Sequence, residues 1–154
     1  MRRTDVLVIG AGQAGLSAAH HLARTGTDHL VVDAEVGPGG AWRHRWESLT
    51  METVNGIREL PGSVVPEVSA AAPAKVAIPA YFADYEQRNS LRVQRPVTIR
   101  RVESAGRRLR AVGATGEEYS GRALINATGT WNRPFRPFYP GRELFAGPQW
   151  HAKD

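Results

Sequence analysis

The 154-residue chain contains no cysteine, so its side chains can form no disulfide, no thiolate metal site and no Cys-x-x-Cys redox pair. Dithiol chemistry is excluded and the compartment is left open. A long uninterrupted apolar run is also missing. Arg2 and Arg3 precede an uncharged stretch from Val6 to Ala23 that has the outward look of a signal peptide or membrane helix, but glycines, Gln13, Ser17, His20 and His21 interrupt it. The expectation is a soluble, cytoplasmic protein with no membrane partner. Lysine is scarce: 18 arginines and two lysines oppose 15 acids, for a net charge of +5. Arg100, Arg101, Arg107, Arg108 and Arg110 crowd one region, and such a stripe can be the footprint of nucleic-acid binding. These arginines alternate with Val102 and Leu109 in strand-like segments, and no nucleic-acid-binding motif accompanies them. They read as a solvated hairpin face, without a nucleic-acid partner. No internal repeat is present, and the length corresponds to about one domain, short for a two-domain redox enzyme.

What is present is concentrated in Asp5 to Asp33, DVLVIGAGQAGLSAAHHLARTGTDHLVVD. Val6 to Ile9 is a continuous apolar run, as expected of a central parallel strand covered on both faces. The turn Gly10-Ala11-Gly12-Gln13-Ala14-Gly15 follows. Gly10 permits the tight turn, Gly12 lets the backbone approach a pyrophosphate, and Gly15 lets the next helix pack on the strand. Free N–H groups and the positive helix end then face the phosphates. The helix is expected from about Gln13 to Arg24, ended by Gly26. His29 to Asp33 is the second parallel strand, and Asp33, with Ala34 beside it, stands where a carboxylate accepts hydrogen bonds from a ribose diol. The whole arrangement reads as a dinucleotide site.

Gly37 to Asn55 reads as an ordered loop with one helical turn. Pro61 to Pro79 is expected to be a surface loop or flap, and Pro79 to open a helix over Ala80–Ser90 with Tyr81, Phe82 and Tyr85 available for packing. Leu91-x-Val93 resembles a short parallel strand. Val97 to Ile99, Leu109 to Val112 and Glu117 to Tyr119 form an expected three-stranded antiparallel meander, after which Ala123 to Asn126 returns as a buried strand into Ala127-Thr128-Gly129. The fold class is therefore α/β: a Rossmann-like FAD/NAD(P)-binding, doubly wound parallel sheet with a three-stranded β-meander. In Gly39-Gly40-Ala41-Trp42-Arg43, small residues admit a bulky ligand, Trp42 offers a planar apolar wall and Arg43 a cation.

Four separated motifs carry a family resemblance: GAGQAG at Gly10 to Gly15, GGAWRHRW at Gly39 to Trp46, ATG at Ala127 to Gly129, and Phe145-x-Gly147-x-x-x-His151. Together they resemble the N-terminal part of a class B flavoprotein monooxygenase, the group of flavin-containing and Baeyer-Villiger monooxygenases. The resemblance implies FAD as cofactor, with Ala41 and Trp42 lining it, Val97 contacting the adenine through its backbone, and Thr128 and Gly129 closing over it. Ile99 fits the same strand as Val97 equally well. The candidate cofactor site thus comprises Gly10, Ala11, Gly12, Gln13, Ala14, Gly15, Asp33, Ala34, Gly40, Ala41, Trp42, Arg43, Val97, Thr128 and Gly129, with no catalytic residue assigned and no metal ligands. His20 and His21 are neighbours on a helix and cannot share a metal in the i, i+4 manner, and His44 lies between two arginines. His151 matches a fingerprint position in a linker, not a proton-transfer base. Asn55 is a candidate for the family's active-site amide, though the spacing there does not align well.

Residues 1–154 are expected to be the N-terminal portion of an FAD-binding domain. Full-length members of the resembled family carry an NADPH domain with its own GxGxxG and a closing FAD segment, and no second GxGxxG occurs in this chain. They reduce FAD with NADPH, form a C4a-(hydro)peroxyflavin with oxygen and oxygenate a small-molecule substrate. NADPH would therefore act only with the missing domain, and the partners left open are that C-terminal half or a homo-oligomer. The alternative is a non-catalytic, truncated flavin-binding or partner-binding module.

Overall fold

The computed structural model describes residues 1–153; Asp154, the last residue of the expected domain, lies outside them. Strand β1 (Arg2–Ile9) leads through the glycine turn to α1 (Gln13–Arg24) and β2 (His29–Val32), which pairs parallel with β1. A 3-10 turn at Gly40–His44 follows, then α2 (Ala74–Arg88), β3 (Val93–Gln94), β4 (Ile99–Ala105), β5 (Arg108–Gly113) and β6 (Glu118–Asn126). The six strands form one sheet in the order β3-β2-β1-β6-β5-β4, parallel from β3 to β6 and antiparallel from β6 to β4.

The continuous apolar run in β1 is explained by cover on both faces. Val8 belongs to a core with Leu16 and Ala19 of α1 and Ile78, Phe82 and Tyr85 of α2, so both helices pack on one side of the sheet. Leu7 and Ile9 point the other way, into a second core with Val32, Ala111 and Tyr119, where the meander supplies the cover. Burial of each such large side chain stabilises the fold by roughly 1.5–3 kcal/mol. Helix α1 ends as the glycine signal requires. Gly26 takes a left-handed φ of +65°, its N–H bonds the Ala23 carbonyl, and the Thr27 N–H bonds the Leu22 carbonyl, closing a Schellman motif.

Helix α2 begins five residues earlier than expected of a helix opened by Pro79. Pro73 is its N-cap and Pro79 lies inside it. The Ala74 N–H donates to the Leu49 carbonyl at 2.7 Å, so the preceding segment supplies the partner that starts the helix. Pro79 costs α2 one internal hydrogen bond, and its ring packs closely on the turn before Gly40: a Cβ built on Gly39 would stand 2.7 Å from it. Tyr81 and Tyr85 anchor the incoming loop, with Tyr81 Oη accepting from the Leu60 N–H at 2.9 Å and Tyr85 Oη donating to the Pro61 carbonyl at 2.8 Å.

The third meander strand and the returning parallel strand are one element, β6. Its first residues pair with both β1 and β5, as in Arg2 with Tyr119 and Ala111 with Tyr119. Gly121, between the two expected strands, is buried, and a Cβ there would stand 2.6 Å from the Ala123 carbonyl oxygen and 3.3 Å from the Leu7 side chain and backbone. The first meander strand likewise starts at Ile99, since Val97 is held in the preceding turn by its N–H bond to the Asp33 carbonyl at 2.7 Å. Two arginines of the hairpin are ion-paired, Arg110 with Glu103 at 2.8 Å and with Glu118, and Arg101 with Glu103 at 3.5 Å, while Arg108 donates to Ser120 Oγ at 2.9 Å. These contacts raise the Arg110 pKa, through Glu118 first, and lower that of Glu118. No helix among the described residues is long and apolar enough to cross a membrane.

Candidate functional site

The three glycines of the first turn have different surroundings, and the differences define the site. Gly10 has φ +101° and a Cβ on it would lie 2.3 Å from the Ala127 carbonyl oxygen. A Cβ on Gly15 would lie 1.8 Å from the Gly10 carbonyl oxygen and 3.4 Å from the Ala127 side chain. Both positions are filled by backbone. A Cβ on Gly12 would meet nothing within 4 Å. Gly12 is also the N-cap of α1, where no side chain caps the helix and no acid stands in the first turn. The result is an open, positively polarised helix end with backbone donors, the arrangement that receives a phosphate group.

Three further segments converge on this end. The Ala127 N–H bonds the Ile9 carbonyl at 2.8 Å, which seats the Ala127–Gly129 turn beside the glycine turn. Thr128 folds back on Asn126, its hydroxyl donating to Asn126 Oδ1 at 2.9 Å, and Gly129 has φ +62°. The Gly40–His44 turn also approaches, with a Cβ on Gly40 3.3 Å from the Gly12 Cα. Asp33, 6 % exposed, closes the far end. Its Oδ2 accepts the Ala11 N–H at 2.5 Å and its Oδ1 accepts the Glu35 N–H at 2.8 Å. A carboxylate has about four lone-pair sites, so capacity for a diol remains.

Not every candidate residue turns toward this centre. Gln13 reaches the Arg58 carbonyl at 3.2 Å, and Ala14 and Ala34 are exposed. Arg43 turns away: its guanidinium donates to the Pro38 carbonyl at 3.2 Å and stands 3.9 Å from Glu35, which also holds His44 Nε2 at 2.8 Å. Ala41 is half-buried, and Trp42 packs against the helical core while presenting its ring to Arg45 at 5.3 Å. Asn55 is exposed. His151 rests edge-on against Trp131, with ring centres 6.5 Å apart.

Two groups escape sequence reasoning. Arg45 lies over Trp131 at 4.4 Å as well as over Trp42 and at 5.8 Å from Trp46, so a cation ties the Trp42 turn to the segment after Gly129. Arg95 bonds Glu86 with both terminal nitrogens, at 2.9 and 2.6 Å, and its Nε stands 3.8 Å from Asp33 Oδ1. Trp131 is far from Arg45 in the chain, and Glu86, Arg95 and Asp33 come from separate segments, so no local spacing announces these meetings.

Residues 7–152 match the family described as Pyridine nucleotide-disulphide oxidoreductase. Among solved structures, a flavin-containing monooxygenase from Stenotrophomonas maltophilia is 44% identical, with a TM-score of 0.86 over 99% of this chain and 46% of its own. An indole-3-pyruvate monooxygenase YUCCA1 from Oryza sativa subsp. japonica is 30% identical over 96% of this chain and 37% of its own length. The FAD-dependent monooxygenase resA of Aspergillus sclerotiorum is 32% identical over 97% of this chain and 28% of its own. The chain thus spans less than half the length of each.

Proposed function

Because the chain belongs to the pyridine nucleotide-disulphide oxidoreductase family, we propose that it is the FAD-binding part of a flavin-dependent monooxygenase that uses NADPH and acts on a small molecule. The carrying observation is the open space at Gly12 between two glycines whose Cβ positions are filled by backbone. Only the middle glycine leaves room for a ligand, and it does so at an uncapped helix end. The absence of cysteine from these residues means that none of them performs the disulphide exchange in the family's description, and the 44% identity to a flavin-containing monooxygenase favours oxygenation.

The residues suit the parts of FAD in order around the open helix end. The N–H groups at the start of α1 would hold the pyrophosphate, Asp33 the adenosine ribose, and the turn containing Ala41 and Trp42 the apolar ring system, with Val97 at the adenine and Thr128 and Gly129 against the cofactor. Arg43 would have to leave Glu35 to take part. FAD, when bound, supplies hydride acceptance from NADPH and the transfer of one oxygen atom from O2 to substrate. This chain's residues bind and orient it, and the packed Gly10, Gly15 and Ala127 contact keeps water from its inner side.

Titration of the purified chain with FAD and with NADPH, followed by fluorescence quenching, tests the reading. Tighter binding of FAD is expected, and equal or tighter binding of NADPH would overturn it. The chain has one dinucleotide fingerprint, so saturation with FAD should not enable NADPH-driven oxygenation. Stopped-flow mixing that shows rapid flavin reduction by NADPH would contradict the division of labour with an NADPH domain.

A further inference from the structure

The end of the site at Asp33 carries a charge arrangement that cofactor binding as described does not use. Arg95 has a side chain only 11 % exposed and commits both terminal nitrogens to Glu86, whose side chain is equally enclosed. Its remaining donor, Nε, is buried without a hydrogen-bond partner, and at 3.8 Å from Asp33 Oδ1 it lies beyond hydrogen-bond range. The guanidinium fork is therefore given wholly to one of two carboxylates. Glu86 is fixed independently, because its backbone carbonyl accepts the Leu91 N–H at 2.9 Å in the motif that ends α2. Two carboxylates share one guanidinium, leaving a formal charge of minus one in an enclosed corner where screening is weak.

We propose that Glu86 sets the selectivity of this site for the adenosine ribose, by holding Arg95 off Asp33 so that Asp33 accepts a free 2'-hydroxyl and repels a 2'-phosphate. The proposal rests on the dinucleotide reading of Gly10 to Asp33. Released from Glu86, the guanidinium has two destinations. It can close the short gap to Asp33 and cancel that charge, or it can turn its fork to the oxygens of a 2'-phosphate. Both remove the discrimination. Selectivity would then be governed from a helix on the side of the sheet core, through a residue that need not touch the ligand.

Calorimetric binding of 5'-ADP and 2',5'-ADP to the chain separates the possibilities. The unmodified chain should bind 5'-ADP and prefer it. Glu86→Gln should leave 5'-ADP affinity within about threefold and reduce the preference by about tenfold, the scale of one charge removed at short range in a medium of intermediate dielectric. Combining Glu86→Gln with Arg95→Met should restore the preference. An unchanged preference in Glu86→Gln overturns the proposal, whereas failure of the unmodified chain to bind 5'-ADP overturns the dinucleotide reading beneath it. If Glu86→Gln does not fold, as judged by circular dichroism, Arg95→Met alone still decides: with both carboxylates left unpaired the preference for 5'-ADP must rise, and an unchanged or smaller preference refutes the role of Arg95.

Discussion

Substituting the three glycines of the first turn one at a time should separate packing from ligand binding. In Gly15→Ala the new methyl would lie 1.8 Å from the Gly10 carbonyl oxygen, and since backbone cannot move aside, overpacking should cost about 3 kcal/mol or more. For a domain of this size that lowers Tm by roughly 6–12 °C. Gly12→Val adds a larger side chain in a place where nothing lies within 4 Å, at a backbone φ of −76° open to any residue. Its stability cost should stay near 1 kcal/mol, the scale of a helix-cap change. Its binding cost should be larger. A valine there keeps the phosphates from the helix end, and the loss of two charge-assisted bonds to backbone N–H amounts to about 3 kcal/mol or more, at least a hundredfold in Kd. Thermal melts by circular dichroism and FAD titrations on the same preparations give both numbers. Gly12→Val that binds FAD within about threefold of the parent would refute the pyrophosphate reading, and Gly15→Ala that melts no lower than Gly12→Val would refute the packing reasoning.

Asp33→Ala should weaken FAD binding by about 1–3 kcal/mol and leave the buried Ala11 N–H without its acceptor; unaltered affinity in a fluorescence titration would place the ribose elsewhere. Burial pushes the Tyr85 hydroxyl up to about 12, with Tyr81 adding to the effect. Because the folded value lies above the unfolded one, this contribution is complete below pH 10 and is lost as pH rises through 12, about 2–3 kcal/mol in all. Urea midpoints at pH 9 and 11.5 should therefore diverge less in Tyr85→Phe than in the parent, and an equal drop in both would refute the assignment; Tyr119, also raised by burial, leaves a residual slope. Arg45→Met should shift tryptophan emission and lower stability by about 1–2 kcal/mol through lost ring contacts, whereas an unchanged spectrum would show that the three indoles do not depend on the cation.

Legibility in the sequence followed the range of the interactions. The glycine turn, α1 and its end at Gly26 are local, set by spacing and φ, and α1 runs over the expected Gln13–Arg24. The loop expected over Pro61 to Pro79 gives way to helix before its end, because Ala74 is recruited by the Leu49 carbonyl, a partner that no local pattern reveals. The strands expected at Glu117 to Tyr119 and Ala123 to Asn126 join into one through Gly121, whose small size suits its close approach to Leu7. The inner wall of the site was legible from Gly10, Gly15 and the Ala127 turn. The charges around it were not: Glu86, Arg95 and Asp33 meet only once α2, β3 and β2 are in place.

The position of β6 beside β1 sets the order in which the molecule can be completed. Asp5 and Arg122 face each other across residues 117 apart in the chain, so the seam between β1 and β6 is among the most distant closures available to it. At about 5–20 residues per second, a ribosome needs on the order of ten seconds to deliver β6 after β1 has emerged. During that interval Val6 to Ile9 offers an unpaired apolar edge to any other strand, the exposure from which aggregation starts. The glycine turn waits as well, because Ala127, which packs against both Gly10 and Gly15, is made only after the last strand of the sheet. Truncation before Glu118 therefore keeps the entire fingerprint and yet leaves an adhesive strand in place of a binding site.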